Sequence, residues 1–441
     1  MKKIFSAFVV IMAFAFLLVG CTAGLVLPAS DARVKGNGGF VVQKGEYVYF
    51  ANGYIETSSL GTLAENDGSS KEYSIYRVKT SDYLNGAMTY DEDGYPENVE
   101  KIADKIAGFE NSGMFIVGDY LFFGSPNVHK TNRNEDRFDL VTIFSVKLDG
   151  SSFKELYTTA DYTDGDFSIV EVNQTNYLLT FEGDKIIRQT ISEGRISNKV
   201  NLAENVTSTI LVDEIQSSFD HDIYFTTDRS ETDQELGLTG NILKKVNIAS
   251  ANITSFENPV GQTVTLVSQT NSKLVYKSKT TNDTESLFVK SLTGADQQLS
   301  YWAGEQVFFL GYEIDNSLKP MVYVSQNKLL MQEIGSLQTE ILVDANVTIL
   351  FTSGDYVYYS TEEGISRISY KDKVVQAVST TANTSEFDFD GRYIYVFTTV
   401  TDSIVQVKYI HRVDTYAVDQ NAAQDLKLVG YVLPEHRPSE E

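Results

Sequence analysis

The sequence predicts an all-β protein, and three observations lead to that prediction: a recurring strand motif, many aromatic residues and few prolines. The motif is a turn residue, an acidic residue and then a short aromatic or aliphatic run. Its clearest copies lie at residues 45–50, 118–123 and 354–359. A tight turn that leads into a buried strand has this composition. The motif therefore predicts a strand unit that is repeated along the chain.

Looser copies of the motif extend the repeat over most of the sequence. They lie at residues 176–179, 222–225, 273–276, 305–309 and 391–396. Successive copies are separated by roughly 49 residues on average, close to one propeller blade with its loops. We therefore predict a β-propeller of about eight four-stranded blades. Seven blades are the alternative, since the copy at 273–276 is weak, and two β-sandwiches are disfavoured by the even spacing.

Size and composition agree with a β-rich globular chain. The 441 residues would suggest two or three domains by length alone. The repeat runs nearly end to end, however, which favours one large domain. Aromatic residues make up 12% of the chain and only 7 residues are proline. The aromatic runs lack a strict alternation with polar residues, as expected for strands that are buried on both faces.

The net charge of −24 limits the partners of the protein. Such a chain repels the phosphates of nucleic acids, so we expect no nucleic-acid binding. It also repels anionic lipid headgroups, so charge alone cannot hold it at a membrane. A soluble, well-hydrated surface explains the acidity.

The composition of the first residues predicts an export signal. Lys2 and Lys3 precede an almost wholly apolar run at 4–19, which is short for a helix that spans a bilayer. Cys21 follows and is the only cysteine. An unpaired thiol in an exported protein suggests a specific role. The alternative is a cysteine that follows an ordinary signal peptide by chance.

Residues 18–21, Leu-Val-Gly-Cys, resemble the lipobox of bacterial lipoproteins. The resemblance implies cleavage before Cys21 and a diacylglycerol on its sulfur. Acyl chains would hold an acidic chain at a membrane without help from its charge. The expected organisation is a signal peptide at 1–20, a lipidated N-terminus and tether at 21–38, the propeller at 39–433 and a polar tail at 434–441.

The strands of the second blade are the ones that the sequence predicts most clearly. They are predicted at 114–117, 120–123, 140–148 and 153–157, with turns at 118–119 and 149–152. The stretch 144–156, with Leu-Asp-Gly-Ser at 148–151, resembles blades of low-density-lipoprotein-receptor-type propellers. It resembles still more those of bacterial lipoprotein propellers of unknown function. Residues 223–228 loosely resemble the Tyr-Trp-Thr-Asp signature of that family, without its Trp and with one inserted Thr. The resemblance implies the fold and no functional residue.

Candidate site residues are few, and we predict no catalytic residue. The four histidines, at 129, 221, 411 and 436, lack metal-ligand spacing. Trp302, the single tryptophan, is a candidate platform for a sugar ring or else part of the packing near Val307. Asp161, Asp164 and Asp166 lie beside a glycine and could bind calcium through their oxygen atoms. They do not fit the twelve-residue calcium loop, and Asp is also an ordinary turn residue. Apart from calcium at these residues, we predict no cofactor.

These observations favour a non-catalytic function outside a bacterial membrane. We expect a binding or scaffolding module for a protein, peptide or glycan, anchored by lipid at Cys21. Its site would be the open face of the propeller, built from the polar loops 52–70, 80–97 and 228–239 and from residues near Trp302. The alternative is a hydrolase or lyase that acts on extracellular polysaccharide with carboxylates in the central funnel. A third interpretation is a structural part of an envelope complex, which an exposed apolar patch would favour.

Overall fold

The structure is a computed structural model, and the residues that it describes form 33 strands and two short helices. The helices are α1 (Thr80–Leu84) and α2 (Glu231–Glu235). All described residues belong to one compact unit, residues 34–441. The described residues are 41–52, 54–56, 74–84, 98–103, 113–127, 137–158, 167–209, 222–256, 262–270, 273–279, 285–290, 297–298, 307–309, 320–333, 338–353, 355–379, 387–389, 393–402, 405–414 and 427–428.

The first four sheets are four-stranded and follow one another along the chain. Sheet 1 contains β1 (Val41–Lys44), β2 (Tyr47–Asn52), β4 (Ser74–Lys79) and β5 (Val99–Ala103). Sheet 2 contains β6 (Met114–Val117), β7 (Tyr120–Asn127), β8 (Arg137–Lys147) and β9 (Lys154–Thr158). Sheet 3 contains β10 (Phe167–Val172), β11 (Thr175–Glu182), β12 (Lys185–Ser192) and β13 (Arg195–Ala203). Sheet 4 contains β14 (Val206–Thr209), β15 (Asp222–Asp228), β16 (Asn241–Asn247) and β17 (Ile253–Phe256).

The next three sheets repeat this arrangement, and the last one differs. Sheet 5 contains β18 (Thr263–Thr270), β19 (Lys273–Lys279), β20 (Glu285–Val289) and β21 (Gln297–Gln298). Sheet 6 contains β22 (Val307–Phe309), β23 (Pro320–Ser325), β24 (Lys328–Glu333) and β25 (Thr339–Val343). Sheet 7 contains β26 (Thr348–Ser353), β27 (Tyr356–Thr361), β28 (Gly364–Ser369) and β29 (Val375–Ser379). Sheet 8 contains β30 (Phe387–Phe389), β31 (Tyr393–Asp402) and β32 (Val405–Asp414), with β3 (Tyr54–Glu56) and β33 (Lys427–Leu428) both paired to β32.

In its three clearest copies, the recurring motif of the sequence is the turn between the first and second strands of a sheet. The looser copy at 305–309 instead leads into β22, the first strand of sheet 6. Gly45 and Gly118 both have a φ of 59°, a left-handed conformation that glycine adopts without steric cost. In the three clearest copies, the acidic residue uses its backbone carbonyl to bind the chain where the third strand ends. These hydrogen bonds join the amide of Thr80 to Glu46 O, that of Leu148 to Asp119 O and that of Tyr370 to Asp355 O.

Consecutive sheets share their apolar cores. In β6, Met114 and Ile116 pack towards sheet 1, whereas Phe115 packs towards sheet 3. The same alternation holds in β7, where Leu121 faces sheet 1 and Phe122 faces sheet 3. Both faces of the inner strands are therefore buried. This confirms why the aromatic runs lack an alternation with polar residues.

A long-range strand pairing joins the first and last sheets. In β3, Ile55 pairs with Gln406 of β32, in an antiparallel register that spans residues 54–56 and 405–407. β3 belongs to the connection between β2 and β4 of sheet 1. The series of sheets thus closes on itself, and the fold is a β-propeller. The sequence prediction treated all of 52–70 as a loop and was wrong for residues 54–56, whose strand partner lies in the last repeat.

Strand positions agree well with the sequence in the clearest repeat. The four strands predicted for the second blade correspond to β6, β7, β8 and β9. Within the described part of the chain, the helices have five residues each, and none has the length and apolar character needed to cross a bilayer.

Candidate functional site

The antiparallel order of the strands gives the propeller two different faces. One face carries the turns between first and second strands and between third and fourth strands, and we call it the turn face. The opposite face carries the connections between second and third strands, and we call it the loop face. Turn-face segments include 45–46, 118–119, 148–153, 193–194 and 248–252. Loop-face segments include 183–184, 229–240, 326–327 and 362–363.

On the turn face, Arg77 of sheet 1 binds a turn of sheet 2. Its Nη1 donates to the carbonyl oxygen of Leu148, and its Nε donates to Glu100 Oε2 at 2.5 Å. Its guanidinium lies 4.5 Å from the ring centroid of Tyr47, a cation–π distance. The hydroxyl of Tyr49 also donates to Leu148 O, at 3.2 Å. Burial raises the pKa of the Tyr49 phenol above its ordinary value.

The turn that Arg77 binds is itself preorganised. Both the backbone amide and the hydroxyl of Ser151 donate to Asp149 Oδ1, at 2.9 and 2.6 Å. These hydrogen bonds favour the charged carboxylate and lower the pKa of Asp149 below its ordinary value. Gly150 has a φ of 81°. The Leu-Asp-Gly-Ser stretch at 148–151 is therefore a tight turn, and it presents the carbonyl oxygen of Leu148 to sheet 1.

Sheets 2 and 3 are also joined at the turn face, but by different side chains. The hydroxyl of the buried Ser145 donates to the carbonyl oxygen of Gly194 at 2.7 Å. Gly194 lies against the ring of Tyr120, so closely that an added Cβ would lie 2.3 Å from a ring carbon. Lys154 donates to the carbonyl of Glu193 at 2.9 Å and lies 4.7 Å from the Tyr120 ring centroid.

Sheets 3 and 4 repeat the arrangement of sheets 1 and 2. Arg188 Nη1 donates to the carbonyl oxygens of Ile248 and of Ala249, the latter at 2.6 Å. The guanidinium lies 4.9 Å from the ring centroid of Tyr177. A third arginine–tyrosine pair occurs in sheet 7, where Arg367 lies 4.1 Å from the Tyr356 ring centroid.

These contacts occupy equivalent positions in the repeats. In the strand registers, the third-strand residue always pairs with the second-strand residue two positions after the tyrosine. The register pairs are Arg77 with Tyr49, Ser145 with Phe122, Arg188 with Leu179 and Arg367 with Tyr358. We call Arg77, Ser145 and Arg188, with the turn carbonyls that they bind, the turn-face clasps. The tyrosine of the sequence motif is their packing platform, so this face has a structural role.

On the loop face, the connection 229–240 forms a compact unit. Ser230 is the N-cap of α2, and its hydroxyl accepts from the Asp233 amide at 3.2 Å. Arg229 Nε donates to the Thr239 carbonyl at 3.0 Å, which closes the connection at its base. Gln234 Nε2 donates to the Arg229 carbonyl at 2.8 Å. The connection is therefore ordered by its own hydrogen bonds.

The base of this connection is fixed to sheet 5. The side-chain Nδ2 of Asn241 donates to the Val264 carbonyl oxygen at 2.8 Å, and the backbone amide of Val264 donates back to Asn241 Oδ1 at 2.7 Å. Gly240 has a φ of 90°, and a Cβ there would lie 2.1 Å from the Gln262 carbonyl oxygen. Only glycine fits this close approach. The connection is held in one orientation on the rim of the loop face.

The tip of connection 229–240 exposes an apolar side chain among carboxylates. Leu236 is 72% exposed, more than any other large hydrophobic side chain among those described. Glu231 and Glu235 are exposed beside it on α2, and Asp233 is half-buried. The remaining exposed apolar side chains lie on or beside outer strands and are Phe153, Ile253, Ile341, Val374 and Val375.

The site residues predicted from the sequence lie outside the described residues. These are Cys21, Trp302, Asp161, Asp164 and Asp166. Among the histidines, the residue at 411 lies in β32, paired with Val396, and the others are not described. In the ranges that are described, no three His, Cys, Asp or Glu side chains come together as a metal site would require.

The structure describes only parts of the three polar loops that were expected to share a face. Connection 229–240 joins β15 to β16 and lies on the loop face. The connection that begins with α1 at Thr80 joins β4 to β5, so it leaves from the turn face. The expectation that this loop shares a surface with 228–239 was therefore wrong for residues 80–84, because strand direction alternates within a sheet. Residues 57–70 and 85–97 of the expected surface lie outside the described residues.

Comparisons with known proteins give similar folds and no family. No family model matches the sequence, and no curated protein matches it. TolB from Acinetobacter baumannii is 10% identical with a TM-score of 0.30, over 65% of this chain and 59% of TolB. A puromycin hydrolase mutant complexed with PGG is 10% identical with a TM-score of 0.38, over 86% of this chain and 58% of the hydrolase.

A third similar structure is the β-propeller domain of the Trilobed protease from Pyrococcus furiosus, which has an open velcro topology. It is 10% identical with a TM-score of 0.37, over 76% of this chain and 91% of that domain. The chain spans less than two thirds of TolB and of the hydrolase. With every TM-score below 0.5, these likenesses carry no inference about activity, and the fold rests on the sheet topology described above.

Proposed function

We propose that this protein is an exported, lipid-anchored propeller of eight blades that binds a protein, peptide or glycan on its loop face. In this proposal each of the eight sheets is one blade. The observation that carries the binding role is the connection 229–240. It is ordered internally, fixed to the next sheet and exposes Leu236 at its tip. A preorganised exposed segment binds with little loss of conformational entropy.

The two faces support this assignment. The side chains of the turn-face clasps are engaged with carbonyl groups of the next sheet, so they join neighbouring sheets. The loop face instead carries connections of very unequal length, which is typical of recognition surfaces on a rigid scaffold. A partner would contact the rim of the loop face through apolar surface around Leu236 and polar groups around the nearby carboxylates.

The anchor is a separate part of the proposal and rests on the sequence. Residues 18–21 and the apolar run before them support cleavage and lipidation at Cys21. Two acyl chains give a stable anchor, whereas one gives only marginal binding. The net charge of −24 cannot supply that attachment.

Glycan and peptide arrays probed with the purified protein test the binding role. We expect a discrete set of bound probes, and the variant Leu236→Asp is expected to lose them while its melting temperature is unchanged. The matched control is Ile253→Asp, which changes an exposed side chain on an outer strand and should leave binding intact. If both variants bound the array probes equally well, the assignment of binding to the loop face would be wrong. Release of shortened glycans would favour the polysaccharide-cleaving enzyme instead.

Metabolic labelling with a fatty acid, followed by mass spectrometry of the N-terminal peptide, tests the anchor. We expect a diacylglyceryl mass on Cys21 and a protein in the membrane fraction. The variant Cys21→Ser should lose both. An unmodified Cys21 in the native protein, with the chain free in the medium, would contradict the anchor while leaving the binding role open.

A further inference from the structure

The fourth strand of each of the first seven sheets is an edge strand, because it pairs with another strand on one side only. Such an edge leaves a row of backbone N–H and C=O groups open to another chain. Proteins usually protect an exposed edge with a charged side chain, a proline or a β-bulge. The described fourth strands of four or more residues are β5, β9, β13, β17, β25 and β29.

Within this described set, β17 is the one edge strand that has none of these protections. β5, β9, β13 and β25 each carry at least one charged side chain, and each shows a register shift against the third strand of its sheet. β29 has no charged residue, but a register shift interrupts its pairing with β28. β17 has the sequence Ile-Thr-Ser-Phe and pairs with β16 without any shift. Its open edge is therefore uncharged and free of a bulge.

The pairing of β17 with β16 determines which of its backbone groups are open. The amide of Asn247 donates to the carbonyl oxygen of Asn252 at 3.0 Å, and these residues lie directly before the first register pair of the ladder. Hydrogen-bonded and non-hydrogen-bonded pairs alternate along an antiparallel ladder, so Thr254 is hydrogen-bonded to β16. The amide and carbonyl groups of Ile253 and Ser255 therefore point away from β16. All three side chains at 253–255 are exposed, that of Ile253 by 51%.

We propose that β17 is a self-association strand, which pairs antiparallel with β17 of a second copy of this chain. A two-fold axis through Thr254 opposes Ile253 to Ser255 of the partner subunit. In this register every open amide and carbonyl group of Ile253 and Ser255 gains a backbone partner. The axis also brings two threonine side chains opposite one another, a cross-strand pair that stabilises sheets. The two copies of sheet 4 then form one continuous sheet.

The chemistry of this edge favours a second copy over a different protein. Strand addition takes its specificity for a different protein from side-chain pockets or charges along the edge. Neither β17 nor the turn before it, 248–252, contains a charged residue. A second copy supplies the matching backbone pattern by symmetry and needs no such selection.

Charge does not oppose the pairing at close range. The register places Lys244 of β16 opposite Ser255, so at least three strand spacings, about 14 Å, separate it from its equivalent in the second copy. Lys245, the next residue of β16, is paired with Asp222 at 2.6 Å. Salt largely screens exposed charges that are more than about 8 Å apart at physiological ionic strength. The net charge of −24 therefore weakens the pairing most at low salt.

The short length of β17 indicates a reversible dimer. The strand has four residues. Interfaces below about 1,200 Å² in total area are typical of transient complexes. The pairing uses the outer edge of sheet 4, so it depends neither on the ligand of the loop face nor on the lipid anchor.

A single added cysteine tests the pairing, because Cys21 is the only native cysteine. The full chain carrying Cys21→Ser receives Thr254→Cys. The proposed axis makes a non-hydrogen-bonded pair at this position, with Cα atoms about 4.5 Å apart and within reach of a disulfide. The control is Ile341→Cys on β25, an edge strand with Glu340 and a register shift, where Ile341 is 52% exposed. Disulfide-linked dimers should form at least about tenfold faster with Thr254→Cys than with the control.

A second change separates pairing at β17 from contact elsewhere on the surface. Ile253→Lys, added to Thr254→Cys, places a charge on the edge and should slow disulfide formation to the rate of the control. Ile341→Lys, added instead, should leave the rate unchanged. Sedimentation velocity of the Cys21→Ser chain without an added cysteine should show a dimer fraction that rises with protein concentration. Ile253→Lys should abolish that dimer.

Three results would overturn the inference. Equal rates for Thr254→Cys and Ile341→Cys would mean that the disulfides arise from random collisions. A chain that sediments as a monomer at every concentration would mean that β17 does not pair in solution. A dimer that persists in Ile253→Lys would mean that the copies associate through another surface.

Discussion

The turn face and the loop face are two ends of the same strands, and they differ in what their side chains contact. On the turn face, one third-strand position in successive repeats binds a backbone carbonyl of the next sheet, as Arg77 and Arg188 do. On the loop face, the connections that the structure describes in full range from two residues at 183–184 to twelve at 229–240. The difference indicates that cohesion and recognition are located at opposite ends of the propeller, so each can vary without disturbing the other.

The largest effect should come from Gly194→Ala on the turn face. Its φ is 67°, and the added Cβ would lie 2.3 Å from the Tyr120 ring, which cannot move without disturbing the clasp of sheets 2 and 3. We expect a loss of about 3 kcal/mol or more in the free energy of unfolding, measured by chemical denaturation.

The control for this change is Gly183→Ala on the loop face. Gly183 has a φ of 58°, but a Cβ there would have no neighbour within 4 Å. Only backbone strain remains, which costs about 1 kcal/mol. If both variants lost the same stability, the close packing of the turn face would not matter to cohesion.

A smaller loss is expected from Arg77→Met. The variant keeps the length of the side chain but removes the donors to Leu148 and Glu100, together with the cation over Tyr47. We expect about 2 kcal/mol of destabilisation in the same denaturation assay. Lys328→Met is the matched change on the loop face, where Lys328 pairs with the exposed Asp344. That variant should be close to wild type, and a loss as large as that of Arg77→Met would contradict the comparison.

The turn face should also be sensitive to alkaline pH. Burial raises the pKa of Tyr49, so the folded state holds its phenolic proton more tightly than the unfolded state does. The stabilisation that results from this raised pKa is fully present below the pKa of the unfolded state, which is about 10. It is lost as the pH rises through the pKa of the folded state. Stability should then fall by up to about 1.4 kcal/mol per pH unit for this group.

The variant Tyr49→Phe isolates that contribution. It removes the phenol and with it the hydrogen bond to Leu148, so it should be less stable at neutral pH. Above about pH 10, however, its stability should fall less steeply than that of wild type. Tyr359, whose pKa burial also raises, accounts for part of the remaining slope. Identical slopes would show that Tyr49 titrates as a free phenol.

The smallest effect on stability is expected from Leu236→Ala on the loop face. A side chain that is 72% exposed contributes little to the folded core. The free energy of unfolding should change by less than about 0.5 kcal/mol. Binding to any probe identified on the arrays should nevertheless weaken at least about tenfold, as expected for an apolar side chain at a contact centre. A stable variant with unchanged binding would move the recognition surface elsewhere.

Local signals in the sequence predicted the strands but not the contacts between sheets. The turns at Gly118 and Gly150 mark the strand ends of sheet 2, so its four strands could be placed from the sequence. The tyrosine that follows each turn was recognised as a repeat. Its role as the platform for Arg77 or Arg188 was not recognised, although the recurrence of arginine in the third strand is a signal that could have indicated it.

Long-range features were beyond the reach of local patterns. β3 is three residues long and its partner belongs to the last repeat, so nothing within 52–70 distinguishes it from the surrounding polar loop. The mistaken grouping of residues 80–84 with 228–239 has a related cause. Loop composition does not reveal which end of a strand a loop leaves, and this depends on the position of that strand in the sheet.

The pairing of β3 with β32 also sets the order in which the molecule can be completed. Residues 54–56 and 405–407 are about 350 residues apart in the chain, so their pairing is among the least local contacts that the fold contains. Sheets that share a core with the next segment can assemble as that segment becomes available. The two ends of the series must instead find each other across the whole propeller. We expect closure to be the last and slowest step of folding, and a chain stalled before it to expose the unpaired side of β32 to other molecules.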